Sequence, residues 1–170
     1  IMPSLVGSEM CIRDRYKTAQ ICLNGHVITT NIENHKQPYC SKCGAETITH
    51  CQNCGEHIQG RYLIDGVLSL NKSQYITPSY CHSCGNPYPW TEKILNNATE
   101  LLSLDEELDS STKELIKNAI PNLLVDTPET PISVANYRNG MSKAGQIVKD
   151  SMFQLLSNVL SETIKNVLFH

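Results

Sequence analysis

Cysteine and histidine residues recur in four short pairs through the first half of this 170-residue sequence. Three pairs have the spacing C-x2-C and are followed at once by glycine, whereas the first pair has the spacing C-x3-H. The eight side chains belong to Cys22, His26, Cys40, Cys43, Cys51, Cys54, Cys81 and Cys84. Two residues between cysteines form a tight turn that aims both sulfurs at one ion, and glycine supplies the positive φ that such a turn requires. The spacing predicts two tetrahedral metal sites.

Zinc is the metal that this donor set favours, and two zinc ions account for all eight ligands. One site would combine an imidazole with thiolates, which is a common set for structural zinc, although four cysteines could also hold iron. Disulfide bonds are not expected, because no secretory signal precedes the cysteines and an odd number, seven, follows residue 15. A redox C-x-x-C motif belongs beside a βαβ pattern, which this region lacks.

The sequence leaves two ways to combine the four pairs. A sequential arrangement joins the first pair to the second and the third to the fourth, which gives two zinc ribbons. A crossed arrangement, as in RING-type domains, joins alternate pairs. The separation between Cys43 and Cys51 suits a linker between two ribbons, so the sequential arrangement is favoured.

Four further histidines lie near the pairs and are expected to be exposed. They are His35, His50, His57 and His82. His50 and His82 adjoin cysteines of the third and fourth pairs, so they are the alternatives if His26 is not a ligand.

The sequence around the ligands and the sequence beyond them predict different secondary structure. Short runs rich in Ile, Val, Thr and Tyr, such as VITTNI and SQYITPSY, predict β-strands, with Asp65-Gly66 at a turn. The predicted fold is a small metal-stabilised β region of tandem zinc ribbons followed by an all-α C-terminal region, α+β overall. The predicted boundaries are a leader at residues 1–15, ribbons at 16–50 and 51–90, and a helical region at 91–170. A ribbon this short relies on zinc, which supplies roughly 10–16 kcal/mol.

Capping patterns predict the helices. Thr91 can cap the first, and Ser111-x-x-Glu114 has the spacing of a capping box for the second, which Pro121 is expected to end. Thr130 can cap a long third segment that runs towards the C-terminus. The last part of that segment carries one apolar stripe, formed by Val148, Met152, Leu155, Leu156, Val159, Leu160, Thr163, Ile164, Val167 and Leu168. We expect this stripe to pack within the chain, and a homodimer through it is the alternative.

Composition limits the function classes. Residues 16–90 carry five Lys or Arg against four Asp or Glu, and residues 91–170 carry seven against eleven. Neither part has the clustered basic residues that nucleic-acid binding needs, so a stacking surface for single strands is only the alternative function. Its candidate aromatic residues are Tyr39, Tyr62, Tyr75, Tyr80, Tyr88 and Trp90.

The expected function is that of a zinc-binding, non-catalytic adaptor with an unidentified protein partner. No G-x-S-x-G, phosphate-loop or H-E-x-x-H motif occurs, and both metal sites can be filled completely, so we expect no enzyme. No apolar run approaches the roughly 20 residues of a membrane-spanning helix. A cytoplasmic location is therefore expected.

The first fifteen residues look foreign to the rest of the chain. They lack the basic-then-apolar order of a secretory signal. The stretch LVGSEMCIRDR, residues 5–15, resembles the translation of a sequencing adapter. This resemblance implies a native start near Tyr16 and excludes Cys11 from the metal ligands.

The remainder of the chain resembles a known family. YKTAQICLNGHVI, the three C-x2-C-G knuckles, CGNPYPWTEK, VDTPETP and KAGQIV are similar to a bacterial family of uncharacterised double-zinc-ribbon proteins, a domain of unknown function. The resemblance covers nearly everything from Tyr16 to the end. It implies a double zinc ribbon with the same eight ligands, and it implies no substrate, partner or reaction.

Overall fold

The computed structural model describes residues 16–62, 75–157, 159–160 and 162–169. The predicted leader and the predicted turn at Asp65-Gly66 lie outside the described residues. The chain divides after Thr91 into two compact units, which we call the ribbon unit and the helical unit. Short antiparallel strands around the cysteine pairs and a helical C-terminal region confirm the predicted α+β fold.

The strands of the ribbon unit are short, and all their pairings are antiparallel. They are β1 (Tyr16–Thr18), β2 (Gln20–Cys22), β3 (Val27–Thr29), β4 (Thr47–Ile48) and β5 (Gln59–Tyr62). One sheet has the order β3-β2-β4, and β1 pairs with β5 in a second sheet. A strand that precedes the first ligand pair is therefore hydrogen-bonded to a strand that follows the third.

Gly60 lets the backbone of β5 approach its neighbours closely. A Cβ atom at this position would lie 2.1 Å from the carbonyl oxygen of Thr30 and 2.6 Å from that of Lys17. The backbone N–H of Ala19 donates to the carbonyl of Ile58 at 2.9 Å, just beyond the paired strands. Any side chain at position 60 would push these segments apart.

The hydrophobic core of the ribbon unit is small and includes two of the cysteines. Its buried members are Ala19, Ile21, Cys51, Ile58, Cys81, Tyr88 and Trp90. The rings of Tyr88 and Trp90 stack with their centres 4.7 Å apart, and the Trp90 indole N–H donates to the carbonyl of Pro78 at 2.9 Å. A core of this size needs an additional cross-link, such as a metal ion, for stability.

The strand predicted for the run SQYITPSY is wrong for its described part. None of residues 75–80 lies in a strand, and Tyr80 forms only an isolated bridge with Pro87. Pro78 has no backbone donor for a ladder, and its carbonyl accepts from the Trp90 side chain instead.

Helices make up most of the described chain after Tyr88. They are α1 (Pro89–Leu104), α2 (Ser110–Leu123), α3 (Thr130–Ser142), α4 (Gln146–Ser157) and α5 (Glu162–Phe169). Among the described residues, no helix has both the length and the apolar character needed to cross a membrane.

Three helix starts differ from the predicted ones, and the first is that of α1, which begins at Pro89 and so contains Thr91 instead of being capped by it. Asp109 rather than Ser111 caps α2, since its carboxylate accepts from the backbone N–H and the hydroxyl of Thr112 at 2.9 and 2.7 Å. Thr130 is the first residue of α3 instead of its cap, and Glu129 occupies the cap position without a capping hydrogen bond from its side chain. At α2, the Asp109 carboxylate provides the cap because it lies directly before the first helical residue, Ser110.

Two helix ends also differ. Pro121 lies inside α2, because a missing N–H in the last turn costs one hydrogen bond while the fully buried Leu123 keeps that turn packed. The predicted long C-terminal segment is three helices, α3, α4 and α5. Between the last two, the N–H groups of Val159 and Leu160 both donate to the carbonyl of Leu156, at 3.0 and 3.1 Å.

The helical unit has its own apolar core, and the predicted stripe contributes to it. The stripe residues buried there are Val148, Met152, Leu156, Leu160 and Ile164.

Gly140 lies where α3 passes α2, and a Cβ atom there would come within 2.4 Å of Ile116 Cγ1. The Asp105 carboxylate stabilises two connections between helices. It accepts hydrogen bonds from the N–H groups of Glu107 and Leu108, between α1 and α2. It also accepts one at 2.8 Å from the N–H of Gly145, between α3 and α4.

Candidate metal centres

The three C-x2-C-G knuckles have the same backbone hydrogen bonds. The N–H of the first cysteine donates to the carbonyl five residues later, and the glycine N–H donates back to the first cysteine's carbonyl. The first type joins Cys40 to Ala45, Cys51 to Glu56 and Cys81 to Asn86, at 2.7–2.9 Å. The glycines, Gly44, Gly55 and Gly85, have φ of 69°, 75° and 71°. This turn requires the left-handed region, which glycine adopts without strain.

The first ligand pair forms a related turn. The N–H of Cys22 donates to the carbonyl of His26 at 3.0 Å, and the N–H of Gly25 donates to the carbonyl of Cys22 at 2.8 Å. The N–H of His26 also donates to the Cys22 sulfur at 3.3 Å. Gly25 has φ of 84°, and a Cβ atom there would lie 3.2 Å from the Cβ of Trp90, so the turn packs against the core.

The structure brings the eight predicted side chains together in two groups of four. The first group contains Cys22, His26, Cys40 and Cys43, and the second contains Cys51, Cys54, Cys81 and Cys84. Within each group all the donor atoms lie within 4.8 Å of one another. The grouping is sequential along the chain, and each group can hold a metal ion.

The interatomic distances fit a tetrahedron around one ion. In the first group, the Nδ1 atom of His26 lies 3.6 Å from the sulfur of Cys22, 3.7 Å from that of Cys40 and 3.3 Å from that of Cys43. The sulfurs of Cys22 and Cys43 are 3.8 Å apart. Metal–sulfur bonds of about 2.3 Å and metal–nitrogen bonds of about 2.0–2.1 Å in a tetrahedron predict edges of about 3.8 and 3.5 Å.

The second group has the same dimensions with four sulfurs. The sulfur pairs Cys51–Cys84 and Cys54–Cys81 are each separated by 3.7 Å. A disulfide would require about 2.05 Å, and the cysteines of both groups are free thiols. The donor set and the spacing therefore fit a metal ion and do not fit disulfide bonds.

Each knuckle has an inner and an outer sulfur. The first cysteine of every pair is buried, whereas Cys43 and Cys54 are exposed and Cys84 is half-buried. The inner sulfurs attach each group to the sheet and the core, and the outer sulfurs close it from the solvent side.

Hydrogen-bond donors favour the thiolate at Cys43. The backbone N–H of Ala45 and the side-chain amide of Asn24 lower the pKa of Cys43 to about 6. The amide nitrogen of Asn24 lies 3.4 Å from the sulfur. Since a metal ligand must be the thiolate, these donors favour metal binding near neutral pH.

In the second group, hydrogen-bond donors lower the pKa of one thiol, but the pKa of another is raised. The backbone N–H of Asn86, with the side-chain amide of Asn53, lowers the pKa of Cys84 to about 6. The backbone N–H of Glu56 favours the thiolate of Cys54, but burial and the three neighbouring thiols together raise its pKa to about 12. Four clustered thiols resist full ionisation unless a cation lies between them.

A buried glutamine supports the first group and had no signal in the sequence. Gln20 is 2% exposed. Its side-chain amide donates to the carbonyl of Gln37 and to the Thr47 hydroxyl, both at 2.8 Å, and its side-chain oxygen accepts from the Gln37 N–H at 3.1 Å. These bonds hold the segment that leads into the Cys40 knuckle. From the sequence alone, a polar residue between Ala19 and Ile21 is expected at an exposed strand position, because the loop that covers it is distant in the chain.

The remaining histidines belong to neither ligand group. His50, His57 and His82 are exposed, as predicted, and so is His35, which contacts the side chain of Gln37 at 3.3 Å. Neither His50 nor His82 replaces His26, whose Nδ1 is the fourth donor of the first group.

The sequence of this chain matches one family model, over residues 15–168. That family is described as "Uncharacterized protein conserved in bacteria (DUF2321)". The chain belongs to this bacterial family. The matched residues include both ligand groups and extend into α5. A search of curated proteins and a search of solved structures each found no match.

Proposed function

We propose that this DUF2321 protein is a non-catalytic adaptor whose ribbon unit is held together by two structural zinc ions. The observation that carries the proposal is the completeness of both ligand groups. Each supplies four protein donors at tetrahedral spacing. Thiolates with one imidazole, and four thiolates, are both common donor sets for structural zinc.

The full donor sets also support a role without catalysis. A catalytic zinc keeps one position open for water or substrate, and it usually has three protein ligands. Neither group leaves such a position when all four side chains bind. The free thiols of both groups favour a reducing compartment, so we place the protein in the cytoplasm.

Exposed apolar side chains in the helical unit support protein contacts there. They include Leu104, Ile132, Ile147 and Val167. Ile147 is 82% exposed in the first turn of α4. A protein partner that covers such side chains would remove apolar surface from water, which favours association.

Nucleic-acid binding is the second candidate, and one observation favours it. The exposed rings of Tyr16 and Tyr62 contact edge to face, with centres 4.9 Å apart, and rings of this kind can stack on bases. Against it, Tyr88 and Trp90 are buried in the ribbon core. Seven thiolates and two divalent ions add a charge of −3, which turns the formal +1 of residues 16–90 into about −2.

The adaptor proposal is tested by partner capture with matched variants. The zinc-loaded protein, Ile147→Ser and Ile76→Ser serve as baits in lysate of a bacterium that encodes a family member. Ile76, in the ribbon unit, is also 82% exposed, so it is a control of equal size and exposure. The proposal expects a specific protein that the wild type and Ile76→Ser retain and Ile147→Ser loses.

The competing candidate is tested on the same protein preparations. Retention on single-stranded DNA or RNA that weakens steeply with salt, and that Tyr16→Ala abolishes, would support nucleic-acid binding over the adaptor role. No retention at low salt, together with a specific protein partner, would reject it.

A further inference from the structure

Two exposed histidines face each other across the knuckle that carries Cys51 and Cys54. His50 precedes this knuckle, His57 follows it, and the two residues form an antiparallel bridge. Their ring centres are 4.4 Å apart, and the ring planes are inclined by 43°. Neither ring takes part in the two ligand groups.

The backbone holds the two histidines in register. The N–H of Ile58 donates to the carbonyl of Thr49 at 2.9 Å, and the N–H of Cys51 donates to the carbonyl of Glu56 at 2.7 Å. These bonds flank the histidine pair on both sides, which makes it a non-hydrogen-bonded pair. At such a position the opposite Cα atoms are closest, about 4.5 Å, and both side chains point to the same face.

On both rings, the Nδ1 atom lies within hydrogen-bonding distance of a threonine hydroxyl. The Nδ1 atom of His50 lies 2.7 Å from the Thr49 hydroxyl, and that of His57 lies 3.5 Å from the Thr18 hydroxyl. A histidine that donates through Nδ1 carries its lone pair on Nε2, which is then the ligand atom. Oxygen partners of this kind orient many metal-binding histidines.

We propose that His50 and His57 form a third metal site, which binds a divalent late transition metal through two imidazoles. Metal–nitrogen bonds of about 2.0–2.1 Å place the ring centres of two adjacent imidazoles about 4.5–5 Å apart. The observed distance of 4.4 Å between the ring centres lies at the lower edge of this range. Both residues are exposed, so water completes the coordination, and imidazole donors suit nickel, copper and zinc.

The site is tested by adding Ni²⁺ to the full chain after both ligand groups have been loaded with zinc. Isothermal titration calorimetry measures the affinity, and paramagnetic broadening of the imidazole resonances locates the ion. The wild type is expected to bind one Ni²⁺ that broadens the rings of His50 and His57. His50→Ala and His57→Ala should each weaken binding by about tenfold or more, because the second imidazole binds intramolecularly.

His82→Ala is the matched control, because His82 is also exposed and, like His50, adjoins the first cysteine of a C-x2-C pair. It should bind Ni²⁺ with wild-type affinity. Retention of two zinc ions in each variant, counted by native mass spectrometry, shows that the ribbon unit is intact. Wild-type Ni²⁺ affinity in the double variant His50→Ala/His57→Ala, broadening centred on other residues, or no Ni²⁺ binding at all would overturn the proposal.

Discussion

At the scale of single residues, His26 is the point where the two ligand groups differ. Its Nδ1 lies 3.3–3.7 Å from three sulfurs, where the second group has a fourth sulfur. The turn that contains Gly25 brings the imidazole back beside Cys22. One imidazole in place of a thiolate leaves a zinc site with one negative charge less.

Replacement of His26 should therefore weaken the first site without affecting the second. His26→Ala should lose more zinc affinity there than the roughly 10–100-fold that changes to outer-shell partners cost. His26→Cys should retain the ion, because it restores a fourth donor. Competition with a chromophoric chelator measures both affinities, and His82→Ala is the control. Wild-type affinity in His26→Ala would contradict the role of His26 as a ligand.

The sequence was sufficient to predict which eight side chains lie together in the two groups, but not which residues support them. Cysteine pairs with glycine behind them carry their chemistry and their turn in a few consecutive residues, so spacing alone indicates the site. Gln20 and the facing pair His50 and His57 depend on contacts between distant segments. No local pattern encodes those contacts.

At the scale of elements, helix packing depends on a glycine that the sequence did not mark as a contact. Gly140→Ala places a Cβ atom 2.4 Å from Ile116 Cγ1 and should destabilise the helical unit by about 1–3 kcal/mol. The higher helix propensity of alanine, about 1 kcal/mol, offsets only part of this loss. Denaturant unfolding followed by circular dichroism at 222 nm measures the change.

Gly145→Ala is the control for the helix contact, because a Cβ atom there has only ordinary contacts, the nearest at 3.5 Å. It should change the free energy of unfolding by much less. Equal effects of the two substitutions would show that the contact between α2 and α3 is not tight at Gly140.

The connections between helices depend on the Asp105 carboxylate, so we expect the free energy of unfolding to depend on pH. Burial would raise the pKa of its carboxyl, but the N–H groups of Gly145, Glu107 and Leu108 outweigh burial and hold the pKa below its usual value. A carboxyl whose pKa is lowered on folding stabilises the protein above its unfolded pKa of about 3.9. That contribution disappears as the pH falls from about 4 through the lower folded value.

Asp105→Asn should accordingly cost about 1–3 kcal/mol of unfolding free energy at pH 7, since it removes the carboxylate from three N–H donors. The difference from wild type should shrink as the pH falls below 4, as the wild-type carboxyl becomes protonated. Asp150→Asn, at an exposed position, is the control and should have little effect. A difference that stays constant down to pH 2 would contradict the argument.

At the scale of the whole molecule, the chain consists of two units that are stabilised in different ways. The ribbon unit has few buried apolar side chains and two ligand groups, whereas the helical unit has a separate apolar core. The sequence predicted this contrast, because cysteine pairs and helical periodicity are both local signals. It did not predict that β1 pairs with β5, since that pairing joins a segment before the first ligand pair to a segment after the third.

Removal of the metal should therefore affect the two units differently. With excess chelator under reducing conditions, the amide resonances of residues 16–91 should collapse to the narrow range of an unfolded chain. Those of the helical unit should stay dispersed, because its core contains none of the ligands. Readdition of zinc should restore the first set. Dispersed resonances for residues 16–91 in the metal-free protein would contradict a structural role for the ions.

Native mass spectrometry of two double variants tests whether two zinc ions bind in sequentially grouped sites. Cys22→Ser/Cys40→Ser alters one group, whereas Cys22→Ser/Cys51→Ser alters both. We expect two zinc ions in the wild type, one in the first double variant and none in the second. The reverse order for the two variants, or a wild type without two zinc ions, would contradict this expectation.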